Sequence, residues 1–378
     1  MVAAVNASSS KSSDPGCSSA PRLAALIVNY DSWDDVERLA IRLAEARDPS
    51  CAATDDWIWI IDNASPRPAP DSVKALDHQR GTRLISRPSN DGFAAGINEG
   101  WRAARRAGAD WVLALNPDVT PGPDLIAQAL DRIRRAEGRV GVIGLGLINP
   151  DGTSQPSVGP FPSLPRMVRE VFLPRSVRKY WPQRKIKPGP VPWVTGACFL
   201  LRVSMLEDVG GLDEDFFLYY EEVALCRSAT LKGWIVEFDP SIQVIHHNPL
   251  QNRGISPQLL VITRHSKLLY FLKHAKRWEF RILARFIAAQ AWLRQCLAPK
   301  GGARFRIWRT IRQLALTMSR DERRGQWTFP RGRAVLDLAK ATVDGPPNGG
   351  RWDSAESSPI PAPKSAAVSR IRDRELRQ

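Results

Sequence analysis

The stretch Trp111-Val112-Leu113-Ala114-Leu115-Asn116-Pro117-Asp118 is five apolar residues stopped by a polar turn that ends in a carboxylate. Five apolar residues in a row match a strand buried on both faces, as in a parallel sheet. On its amino side, helical spacing over 97–107 stops at Gly108. On its carboxyl side, 121–137 puts Leu125, Ala129, Leu130 and Ile133 on one helical face, and a strand pattern follows at 140–147. Further out, 23–28 is an apolar run of strand length. Ser32 and Asp35 then form a capping-box-like pair, with Trp33, Val36, Leu39, Ala40 and Leu43 at helical spacing. Residues 57–61 and 83–86 supply two more strands. This alternation predicts an α/β fold, a mostly parallel sheet flanked by helices on both sides.

Ligands bind such sheets outside the carboxyl ends of the strands. Three strands end there in polar residues: Asn29-Tyr30, Asp62-Asn63 and Asn116-Pro117-Asp118. Turn chemistry explains any one of them, because Asn and Asp favour strand exits. Three on one edge predict a shared pocket. The loop Asn90-Asp91-Gly92-Phe93-Ala94-Ala95-Gly96-Ile97-Asn98 opens a helix with small residues, suited to face an anionic group with its N–H groups. It is neither G-x-G-x-x-G nor a Walker loop, so dinucleotide and ATPase readings lack their fingerprint. Asp118 offers the oxygen that a hard divalent cation prefers, and His246, ahead of His247 and after the apolar 242–245, offers an imidazole. Two such donors need a bound diphosphate to complete the sphere. Downstream, Phe216-Phe217-Leu218-Tyr219-Tyr220-Glu221-Glu222-Val223-Ala224-Leu225-Cys226 encloses two adjacent carboxylates in apolar residues. Apolar surroundings make a carboxylate a better proton acceptor near neutral pH; flanking a core helix is the plainer reading of the pair.

The chain of 378 residues carries 54 Lys and Arg against 39 Asp and Glu, a net +15 that favours polyanionic partners. Five cysteines without a C-x-x-C pair argue against a disulfide framework and for a reducing compartment. The first residues lack the pattern of a secretory signal, and no apolar run reaches membrane-spanning length. The expected organisation is a disordered lead over 1–20, an α/β domain over 21–258, a basic helical extension over 259–343 and a disordered tail over 344–378. Within the domain, 161–192 reads as a Pro-rich basic loop with a helical pattern at 167–171. A returning strand at 192–201 and a helix at 204–209, ended by Gly210-Gly211, follow. The extension interleaves basic residues with Leu268, Leu269, Phe271, Ile282, Phe286, Trp292, Leu293, Ile307 and Trp308. Either these pack on the domain, or they lie on an anionic membrane surface, placing a cytoplasmic protein peripherally on the inner face of the cell membrane.

Taken together, these motifs resemble family 2 glycosyltransferases of the GT-A fold, a Rossmann-like α/β architecture, and within them the rhamnosyltransferase-like members. Ile27-Val28-Asn29-Tyr30 is similar to the family's opening strand, Ile61-Asp62-Asn63-Ala64-Ser65 to its base-recognition motif, and 90–98 to its N-x-G-F-A-x-G-x-N loop. Leu115-Asn116-Pro117-Asp118 stands where the D-x-D motif belongs. Val194-Thr195-Gly196-Ala197 and 210–217 resemble the acceptor-side segment, and His246 the late histidine that reaches the metal. The resemblance implies inverting transfer of a sugar, with dTDP-rhamnose favoured among nucleoside-diphosphate sugars, to a hydroxyl of a cell-envelope or lipid-linked glycan. It implies that Asn29, Tyr30, Asp62, Asn63, Asn90, Gly92, Asn98 and Asn116 bind the donor, and that Asp118 and His246 hold Mg²⁺ or Mn²⁺. Glu222 is implied as the general base and Glu221 as an orienting group. Glu222 is one methylene longer than the family's aspartate, and Ala224 stands where a further acid is common. A silent nucleotide-sugar-binding protein of the same fold, a nucleotidyltransferase and a nucleic-acid binder are the competing expectations; a basic Gly-rich loop near the first strand and a nucleic-acid recognition motif are both missing.

Overall fold

Leu23–Asn29 (β1) is buried along its whole length, and the two sets of alternating side chains enter different apolar clusters. Ala24, Leu26 and Val28 face one, and Leu23, Ala25 and Ile27 the other. Both faces of the sheet are therefore covered, as continuous apolar strands require. The computed structural model describes residues 21–46, 56–77, 81–170, 187–248 and 254–344. The expected lead, nearly all of the tail and the middle of the 161–192 loop lie outside them.

After β1 come Trp33–Glu45 (α1), Ile58–Asp62 (β2), Asp71–Leu76 (α2), Thr82–Ser86 (β3), Phe93–Arg106 (α3), Trp111–Leu115 (β4), Val119–Pro121 (β5), Leu125–Arg134 (α4) and Val140–Ile148 (β6). Short pieces follow: Ser154–Gln155 (β7), Val158–Gly159 (β8), Leu164–Glu170 (α5), Gly189–Pro190 (β9) and Trp193–Val194 (β10). Then come Cys198–Arg202 (β11), Val203–Val209 (α6), Glu221–Leu231 (α7) and Ile235–His246 (β12). Four helices end the described chain: Pro257–His274 (α8), Arg277–Cys296 (α9), Ala303–Arg324 (α10) and Arg333–Asp344 (α11).

The main sheet has the order β3-β2-β1-β4-β11-β6-β12-β5. Six of these eight strands run the same way. β11 returns antiparallel between β4 and β6, and β5 pairs antiparallel with the end of β12. One face carries α1 and α4. The other carries α3, α6 and α7, and buried residues of α8, α9, α10 and α11 join that same cluster. Each fully buried Leu or Ile there contributes about 1.5–3 kcal/mol.

Three local expectations are corrected. Ser32 precedes α1 but makes no side-chain cap; its hydroxyl turns back to the Tyr30 carbonyl, and its N–H donates to Asn29 Oδ1. Pro121 is not the first residue of a helix: 119–121 pairs with 244–246, and α4 begins only at Leu125. The returning strand is split, because 195–197 leaves the ladder between β10 and β11.

Candidate active site

Asn29 and Asp62 are register partners at the ends of β1 and β2. Asn29 Nδ2 donates to Asp62 Oδ1 at 3.1 Å and to Ser65 Oγ at 3.1 Å. The Ser65 hydroxyl donates to Asp62 Oδ1 at 2.5 Å, and the Asp31 N–H donates to Ser65 Oγ at 2.7 Å. This buried network fixes the carboxylate of Asp62 at the sheet edge, leaving Tyr30 46% exposed beside it. Asn63 is a connector: its Nδ2 donates to the Gly92 carbonyl at 3.0 Å and its Oδ1 accepts from Arg87 at 2.7 Å. Arg87 also reaches Asp91 at 3.0 Å, so the 90–98 loop is tied to β2.

That loop is tied equally to the acceptor-side segment. The Gly92 N–H goes to Asn90 Oδ1, and the Phe93 N–H to the Phe217 carbonyl at 3.1 Å. Gly92 has φ +101°, and a Cβ there would stand 2.1 Å from the Phe217 oxygen. Only glycine accommodates both the angle and the approach. Asn98, buried in α3, donates to the Leu212 carbonyl and to Glu214 Oε1 at 2.8 and 2.7 Å, and its Oδ1 accepts from Leu212 N–H and Trp101 Nε1. Its side chain thus holds 212–214 in place.

Asp118 meets His246 where β5 pairs with β12; Nε2 lies 3.4 Å from Asp118 Oδ1. Gln155, buried and not singled out by sequence, fixes the ring. Its Nε2 donates to the His246 carbonyl at 2.5 Å, which turns its Oε1 toward His246 Nδ1 at 2.9 Å. An acceptor at Nδ1 requires the proton there, so in the neutral form of the ring it is the Nε2 lone pair that would face Asp118. Asp118 Oδ1 and a neutral Nε2 facing each other would fit a shared cation, and the Gln155 oxygen accepting from Nδ1 fixes the ring's orientation as a hydrogen-bond partner of a ligating histidine does. Among the described residues no group of three or more His, Cys, Asp or Glu gathers to hold a metal. The donor set therefore fits an ion whose remaining positions go to substrate oxygens or water. His247 turns away, to Thr120 Oγ1 at 2.8 Å.

Glu221 and Glu222 open α7, both buried, in the first turn where the helix dipole favours carboxylates. Gly196 adjoins Glu222; a Cβ on that glycine would lie 3.6 Å from Glu222 Cβ. The next residue, Ala197, accepts the Asn116 N–H at 2.9 Å, which joins the carboxylate pair to the end of β4. Burial pushes the Cys226 thiol up to about 12, with the charge of Glu222 adding to it, so this sulfur stays protonated. Among the described residues, the non-glycine residues with positive φ are Asp31, Ala64, Tyr219 and Tyr220. All four lie at the turns that carry Tyr30, Asp62 and the Glu pair, where backbone strain marks a constrained site.

The helices reach this segment directly. Lys273 Nζ bridges Asp213 and Asp215 at 2.5 and 2.6 Å, Arg331 approaches Asp215 at 3.4 Å, and Ser266 donates to the Leu218 carbonyl at 2.8 Å. Burial pushes the Asp215 carboxyl up, but Lys273 and Arg331 outweigh it and hold the group below its usual range. None of these ties carries a sequence signal.

The family model described as glycosyl transferase family 2 matches residues 25–210. An N-acetylglucosaminyl-diphospho-decaprenol L-rhamnosyltransferase of Mycobacterium tuberculosis is 30% identical over 274 residues, covering 68% of this chain and 86% of the relative. The low-salt glycan biosynthesis hexosyltransferase Agl10 of Haloferax volcanii is 24% identical over 295 residues, 74% of this chain and 86% of that protein. The crystal structure of GalNAc-T7 with UDP, GalNAc and Mn²⁺ is similar with a TM-score of 0.50 at 12% identity, over 82% of this chain and 57% of that chain. This last likeness shows the GT-A fold.

Proposed function

The chain belongs to glycosyl transferase family 2, and from that premise we propose that it moves L-rhamnose from dTDP-rhamnose to a hydroxyl of a lipid-linked glycan, with inversion. The observation that carries this reading is that the Asn29–Asp62 network and the Asp118–His246 pair both lie at the carboxyl ends of parallel strands of one sheet. Asp62 accepts hydrogen bonds from the nucleobase, and the exposed ring of Tyr30 packs on it. Asn29, Asn63, Asn90, Gly92 and Asn116 form or brace the donor pocket, whereas Asn98, expected there from sequence, has its amide engaged on 212–214 and braces the acceptor segment. Asp118 and His246 would hold Mg²⁺ or Mn²⁺, which supplies positive charge against the diphosphate leaving group. Glu222 takes the proton of the acceptor hydroxyl as its oxygen attacks the anomeric carbon from the face opposite the diphosphate. Glu221 orients the acceptor. A single displacement needs no nucleophilic side chain, in keeping with the protonated Cys226. The acceptor follows the relative's name, a diphospho-polyprenol carrying N-acetylglucosamine; such an acyl-like chain resides in a bilayer, so the reaction would run at a membrane surface.

The test is nucleotide release from a panel of sugar nucleotides, with a short-chain N-acetylglucosaminyl-diphospho-lipid as acceptor, with and without Mg²⁺ or Mn²⁺. dTDP-rhamnose should give the fastest metal-dependent release and a product of inverted anomeric configuration. Equal or faster transfer from a UDP-hexose would overturn the sugar assignment. Release unaffected by chelator would overturn the metal.

A further inference from the structure

We infer that the outward face of α9 docks on the surface of an anionic lipid bilayer. This helix is apolar on two sides. Its inward side, with Phe280, Leu283, Ile287 and Ala291, is buried against the body of the protein. Trp278, Ile282 and Phe286 recur every fourth residue on the opposite side, and Leu293 and Leu297 continue the row. These side chains are exposed, Trp278 at 52%, Leu293 at 55% and Leu297 at 78%, with Trp292 beside them at 53%. A row spanning most of a 20-residue helix runs for about 30 Å. An outward apolar row of that length is unusual on a surface that meets only water.

The aromatic and aliphatic residues interleaved with basic ones in this region thus separate cleanly. Leu268, Leu269, Phe271, Ile307 and Trp308 are core, while Ile282, Phe286, Trp292 and Leu293 face out. Charge identifies the occupant. Arg277, Arg281 and Arg285 form the adjoining row on α9, the first two also paired with Glu322 of α10, and residues 276–324 carry 13 Lys and Arg against 3 Asp and Glu. Ten of the chain's fifteen net positive charges therefore lie in the α9–α10 hairpin. An apolar row bordered by arginines matches the boundary between headgroups and acyl chains, where Trp and Phe sit and anionic lipid attracts the basic flank. Single-stranded nucleic acid would instead call for flat stacking platforms, and Ile282, Leu293 and Leu297 offer none. No helix of the described residues is long and apolar enough to cross a membrane, so the contact is interfacial.

The experiment is co-sedimentation of the full chain with phosphatidylcholine vesicles, with and without phosphatidylglycerol. Wild type should sediment with the anionic vesicles at low salt at least about tenfold more than with neutral ones, and release at high salt. Ile282→Glu with Phe286→Glu, both at exposed positions, should abolish binding while circular dichroism and nucleotide release from the donor in solution stay unchanged. Arg285→Ala should weaken binding about fivefold. Unchanged vesicle binding by the double variant overturns the inference. So does a concentration-dependent dimer, seen by sedimentation velocity without lipid, that the double variant loses while wild type ignores anionic vesicles; the row would then cover a second copy. Donor turnover in solution is scored separately, so failure of the surface and failure of the transfer reading are told apart.

Discussion

Asn29 and Asp62 meet across one register step of neighbouring strands, whereas Glu221 and Glu222 hang from a segment whose ties come from 48 to 124 positions away. The donor edge is a consequence of the sheet: once β1 and β2 pair, the network closes by itself. The acceptor segment has no strand of its own. Asn98, Lys273, Ser266 and Arg331 hold it from α3, α8 and the turn before α11, and its last two residues before α7 are strained. Away from the 90–98 loop that joins them, damage to one side should therefore leave the other working.

The largest effect is expected at Glu222→Gln. Removing a general base costs about 10²- to 10⁴-fold in transfer. Donor affinity by calorimetry should stay within about twofold of wild type, since the residue acts on the acceptor. Parallel loss of donor binding would break the division between the two sides. On the donor side, Asp118→Ala should reduce nucleotide release to a comparable degree and remove its dependence on metal concentration. Gln155→Leu sharpens the comparison, because losing the oxygen that accepts from His246 Nδ1 should weaken metal affinity about 10- to 100-fold and be offset by excess metal. A Gln155→Leu protein with unaltered metal titration would refute the assigned tautomer of His246.

Most of the donor edge was legible in sequence because its logic is local. An apolar run of five predicts a strand, and an Asn or Asp at its end predicts what projects from the sheet. The same locality misled at Pro121, where a proline ahead of a helical pattern looks like a helix start although β12 claims it as a strand partner. Ser32 failed as a cap for the same reason, since Asn29 and the Tyr30 carbonyl offer it nearer partners. Gln155 and Lys273 were invisible. They act on residues 91 and 58 positions away, and no spacing within a window announces such a partner.

Smaller effects should appear in acid, and on the acceptor side. His265, wholly buried in α8, is pushed down to about 4 by desolvation. Between about 6.5 and about 4 the unfolded chain binds more protons than the folded one, so stability should fall as pH drops through that window. His265→Leu should flatten that part of a melting-temperature profile. Asp215 contributes in the next window. Its carboxyl is lowered in the folded chain, so the stability it contributes is present above the unfolded carboxylate range and is lost as pH falls below about 4. Asp215→Asn should be the less stable protein at neutral pH and converge with wild type in acid. A constant difference across that range would mean that Lys273 and Arg331 do not set the charge of Asp215.

Gly92 shows what the join between the two sides means for sequence variation. Gly122 and Gly138 stand in open space, so a library at either should return many residue types with folding intact. At position 92 the backbone angle and the Phe217 oxygen both exclude a side chain, and selection for active protein should return glycine alone. A loop glycine is thus a narrow point in the mutational landscape of this chain, narrower than much of its core.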